Sequence, residues 1–308
     1  MFDVTVLLLV YNGDLVKIRK TLDSVLAQRE VRMQLVVADD GSKDNHLEEW
    51  HAMLREAGFA DYTLVMNEAN GGTVRNICSG LEAAEGRYTK LISPGDLLAD
   101  PLVLRDWVRL MDREKAEWSF SDAVYYQAES GQDRTVRAPA QPQDLSPYRR
   151  RDAWGMRWAY LAWHDLALGA AVLSTTAVIR RACARIRDAG VRYAEDNMWR
   201  LLMFEGITPV YFPRAAVRYE CAVGISASDV WKKRLLDDWA AADRLMRETP
   251  SPDTAQQKLL RALWPEGRLA EAVRVRGFLL FALRKRFRPR LSAEGAATDT
   301  SGGEKACR

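Results

Sequence analysis

Residues Val4 to Val10 form a nearly unbroken apolar run, the pattern of a parallel strand covered on both faces. Tyr11-Asn12-Gly13-Asp14 follows as a turn, with Asp14 placed to cap a helix. From 15 to 28 the apolar residues Leu15, Ile18, Leu22, Val25 and Leu26 fall three and four apart, which predicts one apolar helix face. The alternation then repeats: strand 35–38, helix 45–57, strand 62–66, a polar loop 67–72, helix 73–84 closed by Gly86, and strand 88–92. Residues 101–112 read as a helix with Pro101 at its first position, and 118–126 as a further strand. This order predicts an α/β fold, a doubly wound and mostly parallel sheet with flanking helices.

Periodicity fails over 127–151, where Pro139, Pro142 and Pro147 forbid a long helix and predict a long loop over a site. Helical spacing returns over 197–205 through Trp199, Leu202 and Met203, and again over 230–247 and 255–264. Residues 268–290 set Arg274, Arg276, Arg284, Lys285, Arg286, Arg288 and Arg290 around an apolar centre, 278–283. The pattern suits peripheral contact with an anionic membrane, and equally a helix packed on the domain with a solvated basic face. We divide the chain into a catalytic domain, 1–228, with a nucleotide-binding half (1–100) and an acceptor half (101–228). Basic amphipathic C-terminal helices (229–291) and a disordered tail (292–308) complete it.

Composition alters this picture little. At 48% hydrophobic and 28% charged residues the chain can bury a real core, and a net charge of +3 gives no argument for nucleic acid. Cys78, Cys183, Cys221 and Cys307 have no paired spacing, which excludes a zinc knuckle or CxxC site and suits buried or incidental thiols in a reducing compartment. The opening residues carry no cationic export signal, and no run approaches the roughly 20 apolar residues that span a bilayer. The expected location is cytoplasmic, peripheral on the inner face of the membrane where 268–290 engages it.

The chemistry concentrates in acidic turns at strand ends. Asp39-Asp40-Gly41-Ser42 closes one strand and Ser93-Pro94-Gly95-Asp96 another, so both turns can border the crevice beyond the carboxyl ends of an open sheet. An acceptor-only carboxylate such as Asp39 complements the imide N–H of uracil, while Asp-Gly is also an ordinary turn pair. Arg75 sits on the first turn after Gly71 and Gly72, where a helix N-terminus favours an anion. Asp96 suits a hard divalent metal, or a tight turn alone. Asp196, preceded by Glu195 at a helix start, suits a general base, although acids are favoured there without any chemistry. Trp154, Trp158, Tyr160 and Trp163 suit a sugar-stacking wall or a core stripe.

Over residues 4–228 these motifs resemble the inverting family 2 glycosyltransferases of the GT-A fold: Tyr11-Asn12, Asp39-Asp40-Gly41-Ser42, 70–76 (NGGTVRN), the turn ending at Asp96, and Glu195-Asp196. The resemblance implies nucleotide-sugar binding by Val10, Tyr11, Asn12, Asp39, Gly71, Arg75, Gly95 and Asp96, with Mg2+ or Mn2+ at Asp96. It implies Asp196 as catalytic base, with Glu195, Trp158 and His164 on the acceptor side. The expected function is inverting transfer of a sugar, from a UDP-sugar, to a glycan or lipid-linked acceptor in surface polysaccharide or glycolipid assembly. The chain departs from the family where Ser93 and Gly95 replace two carboxylates of the usual acidic run, and where Glu220 and Cys221 stand in a Tyr-Arg-x-His position. A nucleotidyltransferase, or an inactive nucleotide- or glycan-binding relative, is the alternative.

Overall fold

A computed structural model describes residues 1–129, 132–137, 142, 145–156, 169–221 and 229–250. Trp158, Tyr160, Trp163, His164, the segments 255–264 and 268–290, and the tail 292–308 lie outside the described residues.

Eight strands form one sheet in the order β3-β2-β1-β4-β8-β6-β9-β5: β1 Val4–Val10, β2 Met33–Asp39, β3 Tyr62–Met66, β4 Tyr88–Ile92, β5 Leu97–Leu98, β6 Trp118–Glu129, β8 Val172–Thr175 and β9 Val210–Glu220. A further strand, β7 Gln132–Arg137, pairs outward from β6. The first four strands are parallel, β8 joins β4 and β6 antiparallel, and β6 and β9 are parallel. The sheet with helices on both faces is the α/β architecture that the sequence pattern predicts.

Side-chain alternation divides the core between the two faces. Val4, Val6, Leu8 and Val10 of β1 and Leu35 and Val37 of β2 pack under α1 (Leu15–Leu26), α2 (Leu47–Glu56) and α4 (Val103–Glu114). Leu7, Val36 and Ala38 face the other way, under α3 (Thr73–Glu82), α6 (Thr176–Asp188), α7 (Asn197–Phe204) and α8 (Asp229–Glu248). A four-residue helix, α5, spans Ser146–Arg149. Asp14 caps α1 as expected, its carboxylate accepting the Lys17 N–H at 3.0 Å.

Several boundaries differ from the sequence reading for identifiable reasons. The first helix stops at Leu26 and α3 stops at Glu82. Gly86 does not end α3; it passes against the start of β1, where a Cβ would lie 2.3 Å from the Thr5 nitrogen. Helix α4 starts at Val103, not Pro101, because the Asp100 carboxylate first closes a turn by accepting the Leu102 N–H at 2.9 Å. The stretch expected to be an irregular loop contains β7 and α5.

Candidate active site

The carboxyl ends of β1 and β2 lie side by side, with Val10 registered against Asp39. The Asp39 carboxylate is buried and accepts the Ser42 backbone N–H at 2.7 Å and the Ser42 hydroxyl at 2.6 Å, so the turn expected from Asp-Gly is present. Each oxygen retains a further lone pair for a ligand N–H. Asn12 adopts a positive φ of 46° and locks the two turns together: its N–H reaches the Ser42 hydroxyl at 2.7 Å and its side chain accepts the Lys43 N–H at 3.2 Å. Tyr11 is exposed beside it.

Asp40, which the sequence reading passed over, holds the glycine loop. Its two oxygens accept the N–H groups of Gly71 at 2.8 Å and Gly72 at 2.9 Å, and the Asn70 amide at 2.8 Å. Gly72 has φ +92°, and a Cβ there would stand 2.7 Å from the Arg192 carbonyl, so both conformation and space require glycine. Arg75 is exposed, and its side chain folds back so closely that a Cβ on Gly71 would lie 2.2 Å from its Cδ.

Beyond β4 the turn 93–96 dives inward. Gly95 takes φ +101°, its N–H donates to the Thr21 hydroxyl at 2.9 Å, and the Tyr126 hydroxyl donates to its carbonyl. Asp96 is almost wholly buried and accepts the Glu220 N–H at 3.3 Å. It caps no helix, since β5 follows it directly. Burial pushes its carboxyl up to about 7, opposed by the Glu220 N–H and by Lys90. Lys90, fully buried on β4, donates to the carbonyls of Leu91 and Ala170 at 2.5 Å each, and burial brings it down to about 7. Glu220 packs over Gly95 and is held by Lys17 at 2.8 Å.

Glu195 and Asp196 enter from the opposite side, ahead of α7. Asp196 stands at the N-cap position and its side chain makes no capping hydrogen bond, so a purely structural preference for an acid there would act through the helix dipole alone. Its Oδ1 is buried without a hydrogen-bond partner, against Gly169, where a Cβ would lie 2.3 Å away. A buried acceptor in that state calls for an explanation. Burial raises the pKa of both carboxyls, and the negative charge of Asp196 raises Glu195 further.

Helix α8 positions this pair. The buried Asp238 carboxylate accepts three successive backbone N–H groups immediately before Glu195: Arg192 at 3.1 Å, Tyr193 at 2.6 Å and Ala194 at 2.9 Å. Arg200 of α7 meets Asp243 of α8 in a buried ion pair at 2.9 Å and lies over the Trp239 ring.

Asp96, Glu195, Asp196 and Glu220 thus line one cavity of about 470 Å³, walled by Tyr193, Trp199, Tyr219 and Trp239 and reached by Thr73 of α3. Arg75 does not line it. Arg75 and Gly71 border a second cavity of about 390 Å³ with Arg187 and Arg192. Asp39, Val10, Tyr11 and Asn12 lie at the β1 and β2 ends, outside the lining of both. Glu220, Lys17, Asp40 and Asp238 were missed by the sequence reading. Asp40 carried a local signal, as the second acid of the Asp-Asp-Gly-Ser turn, and Glu220 another, as an acid next to an aromatic.

Residues 5–182 match the sequence profile described as Glycosyl transferase family 2. The chain belongs to that family. No match is found among curated protein sequences. Solved family-like structures share the fold at low identity. S. aureus TarS is 14% identical with a TM-score of 0.56, the alignment covering 95% of this chain and 46% of that one. TarS 1–349 in complex with UDP-GlcNAc is 14% identical with a TM-score of 0.57, covering 89% and 79%. The mannosyltransferase PcManGT from Pyrobaculum calidifontis, in complex with GDP-Man and Mn2+, is 15% identical with a TM-score of 0.59, covering 94% and 78%. This family 2 chain therefore spans less than half of that TarS chain.

Proposed function

We propose that the chain is an inverting glycosyltransferase that moves a sugar from a uridine diphosphate donor to a hydroxyl of a glycan or lipid-linked acceptor. The observation that carries this reading is Asp196: a buried carboxylate with an unpartnered oxygen, raised toward neutral pH and lining the same cavity as Asp96. A carboxylate tuned in this way suits a general base. The family match favours glycosyl over nucleotidyl transfer.

In this reading the donor lies along the carboxyl ends of β1, β2 and β4. Asp39 accepts the uracil imide N–H, Val10, Tyr11 and Asn12 border the nucleoside, and the Gly71 loop with Arg75 borders the diphosphate. Asp196 takes the proton of the acceptor hydroxyl as its oxygen bonds to the anomeric carbon and the bond to the diphosphate breaks. A single displacement inverts the configuration and needs no covalent enzyme intermediate. Tyr193, Trp199, Tyr219 and Trp239 wall the cavity and exclude water.

The residues fit a divalent ion. Asp96 is a hard oxygen donor whose raised pKa reflects burial with insufficient positive charge nearby, and a cation would correct that. Among the described residues no group of three His, Cys, Asp or Glu side chains could hold a metal, so Asp96 would share the ion with the donor phosphates. Bound Mg2+ or Mn2+ would supply charge neutralisation at the diphosphate leaving group. Among the described residues no helix is long and apolar enough to cross a membrane, and docking of 268–290 on an anionic cytoplasmic leaflet rests on its basic amphipathic pattern.

The test pairs thermal-shift screening of UDP-, GDP- and dTDP-sugars, with and without Mn2+, with assay of nucleotide release. We expect stabilisation by a UDP-sugar. For Asp196→Asn we expect donor binding retained and turnover reduced by about 10²–10⁴. A variant with undiminished turnover would remove the base assignment, and stabilisation by GDP-sugars alone would remove the uridine assignment.

A further inference from the structure

Cys78 on α3 and Cys183 on α6 are 105 residues apart in sequence and meet in the fold, their sulfur atoms 2.6 Å apart with either thiol donating to the other. A disulfide closes at about 2.05 Å, so bond formation requires only a small approach. The contact does not depend on the thiols alone. Val74, Ile77 and Leu81 of α3 pack in one buried cluster with Val178, Ile179 and Ala182 of α6, which holds the two helices at this separation.

The pair is asymmetric. Cys183 is wholly buried and its thiol also faces the Val74 carbonyl at 3.4 Å. Cys78 lines the open 390 Å³ cavity together with Arg75, Ser79, Glu82, Arg187 and Arg192. Three guanidinium groups against one lining carboxylate make that entrance cationic, although Arg187 is also paired with Asp188 at 2.9 Å. The hydrogen bond with Cys183 and the nearby Arg187 both draw the Cys78 pKa down, while the bond to Cys78 and burial push Cys183 up. Cys78, itself only 9% exposed, is thus the thiol that borders the cavity and the more readily ionised of the two, with Cys183 shielded behind it.

We propose that Cys78 and Cys183 form a thiol–disulfide exchange site whose substrate is a small anionic disulfide of the oxidised-glutathione type, admitted through the arginine-lined cavity. The Cys78 thiolate attacks one sulfur of the incoming disulfide, forming a mixed disulfide and releasing the first small thiolate, which takes up a proton. Cys183 loses its proton and attacks the Cys78 sulfur, releasing the second small thiol and leaving an intramolecular disulfide. Two protein thiols and one small disulfide thus yield one protein disulfide and two small thiols. The product staples α3, whose first residue Thr73 reaches the candidate active site, to α6. The inference does not require the proposed transferase activity, although its cavity includes Gly71 and Arg75, the residues placed beside the donor diphosphate above.

The test uses the full reduced chain, incubated separately with oxidised glutathione, neutral hydroxyethyl disulfide and cationic cystamine. Remaining thiols are alkylated after denaturation and disulfides are mapped by peptide mass spectrometry. We expect a Cys78–Cys183 cross-link, formed about tenfold faster with oxidised glutathione than with cystamine, the advantage vanishing near 1 M salt and in the Arg187→Ala/Arg192→Ala variant. In Cys183→Ser the glutathione adduct on Cys78 should persist unresolved. Cysteines 78 and 183 both recovered fully alkylated after exposure of the folded protein to oxidised glutathione, or faster reaction with cystamine, would overturn the proposal.

Discussion

Replacing Asp96 with Asn should make the protein relatively more stable at pH 8 and relatively less stable at pH 5. The Asp96 carboxyl has an ordinary pKa of 3.8 in the unfolded chain and about 7 in the folded one, because burial disfavours its charge. A raised folded pKa means that the folded state holds the proton more tightly. The associated stability is present at low pH and is lost as pH rises from about 4 through about 7. Integrating between pH 5 and pH 8 gives a loss of about 2–3 kcal/mol that the amide would not suffer. The lowered pKa of Lys90 acts in the opposite sense, costing stability as pH falls, but Lys90 is present in both proteins and largely cancels from the comparison. Melting temperatures of both proteins at pH 5 and pH 8, without nucleotide or metal, provide the assay. The difference in Tm should move in favour of the variant by roughly 5–10 °C across this range. A difference that stays flat, or moves the other way, would refute the claim that Asp96 is a buried carboxyl short of positive charge.

Two further perturbations test the support of the candidate base. Asp238→Ala leaves three N–H groups without their acceptor, one of them in a fully buried bond, and should destabilise the chain by about 3–5 kcal/mol; urea unfolding within 1 kcal/mol of the parent would count against the latch. Gly169→Ala would put a methyl group 2.3 Å from the Asp196 Oδ1, so turnover should fall by about 10-fold or more while donor affinity, measured by calorimetry, stays within twofold.

What the sequence revealed and what it concealed follow from the range of the interactions involved. Strand β1 was legible to the residue because six of its seven side chains are apolar, Thr5 alone interrupting them, and such a run admits few other readings. Asp96, Glu195 and Asp196 were legible as candidates because each follows a recognisable element boundary, and all three line one cavity. Strand β9 was hidden by Pro213. Phe212 pairs with Ser121 and Ala215 with Asp122, so the proline falls in a bulge, where its missing N–H disturbs no ladder bond. Glu220, Asp238 and the Cys78–Cys183 pair had no legible role, since each acts on residues tens to hundreds of positions away. Asp39 and Arg75 were expected to bind the donor together with Asp96, yet only Asp96 lines the cavity that holds Asp196: Asp39 lies outside both cavities, and the Arg75 side chain lies over Gly71 beside the second, a choice of direction that helical spacing does not fix.

The family match stops at residue 182, whereas the candidate base stands at 196 and the carboxylate that steadies its approach at 238. A chimera joined to a relative at the end of the matched region would pair one protein's donor half with another's latch, and would inherit a mismatched grip on the strand of backbone leading to Asp196. Exchange of whole modules in this protein should therefore be cut after α8, with residues 1–248 travelling together.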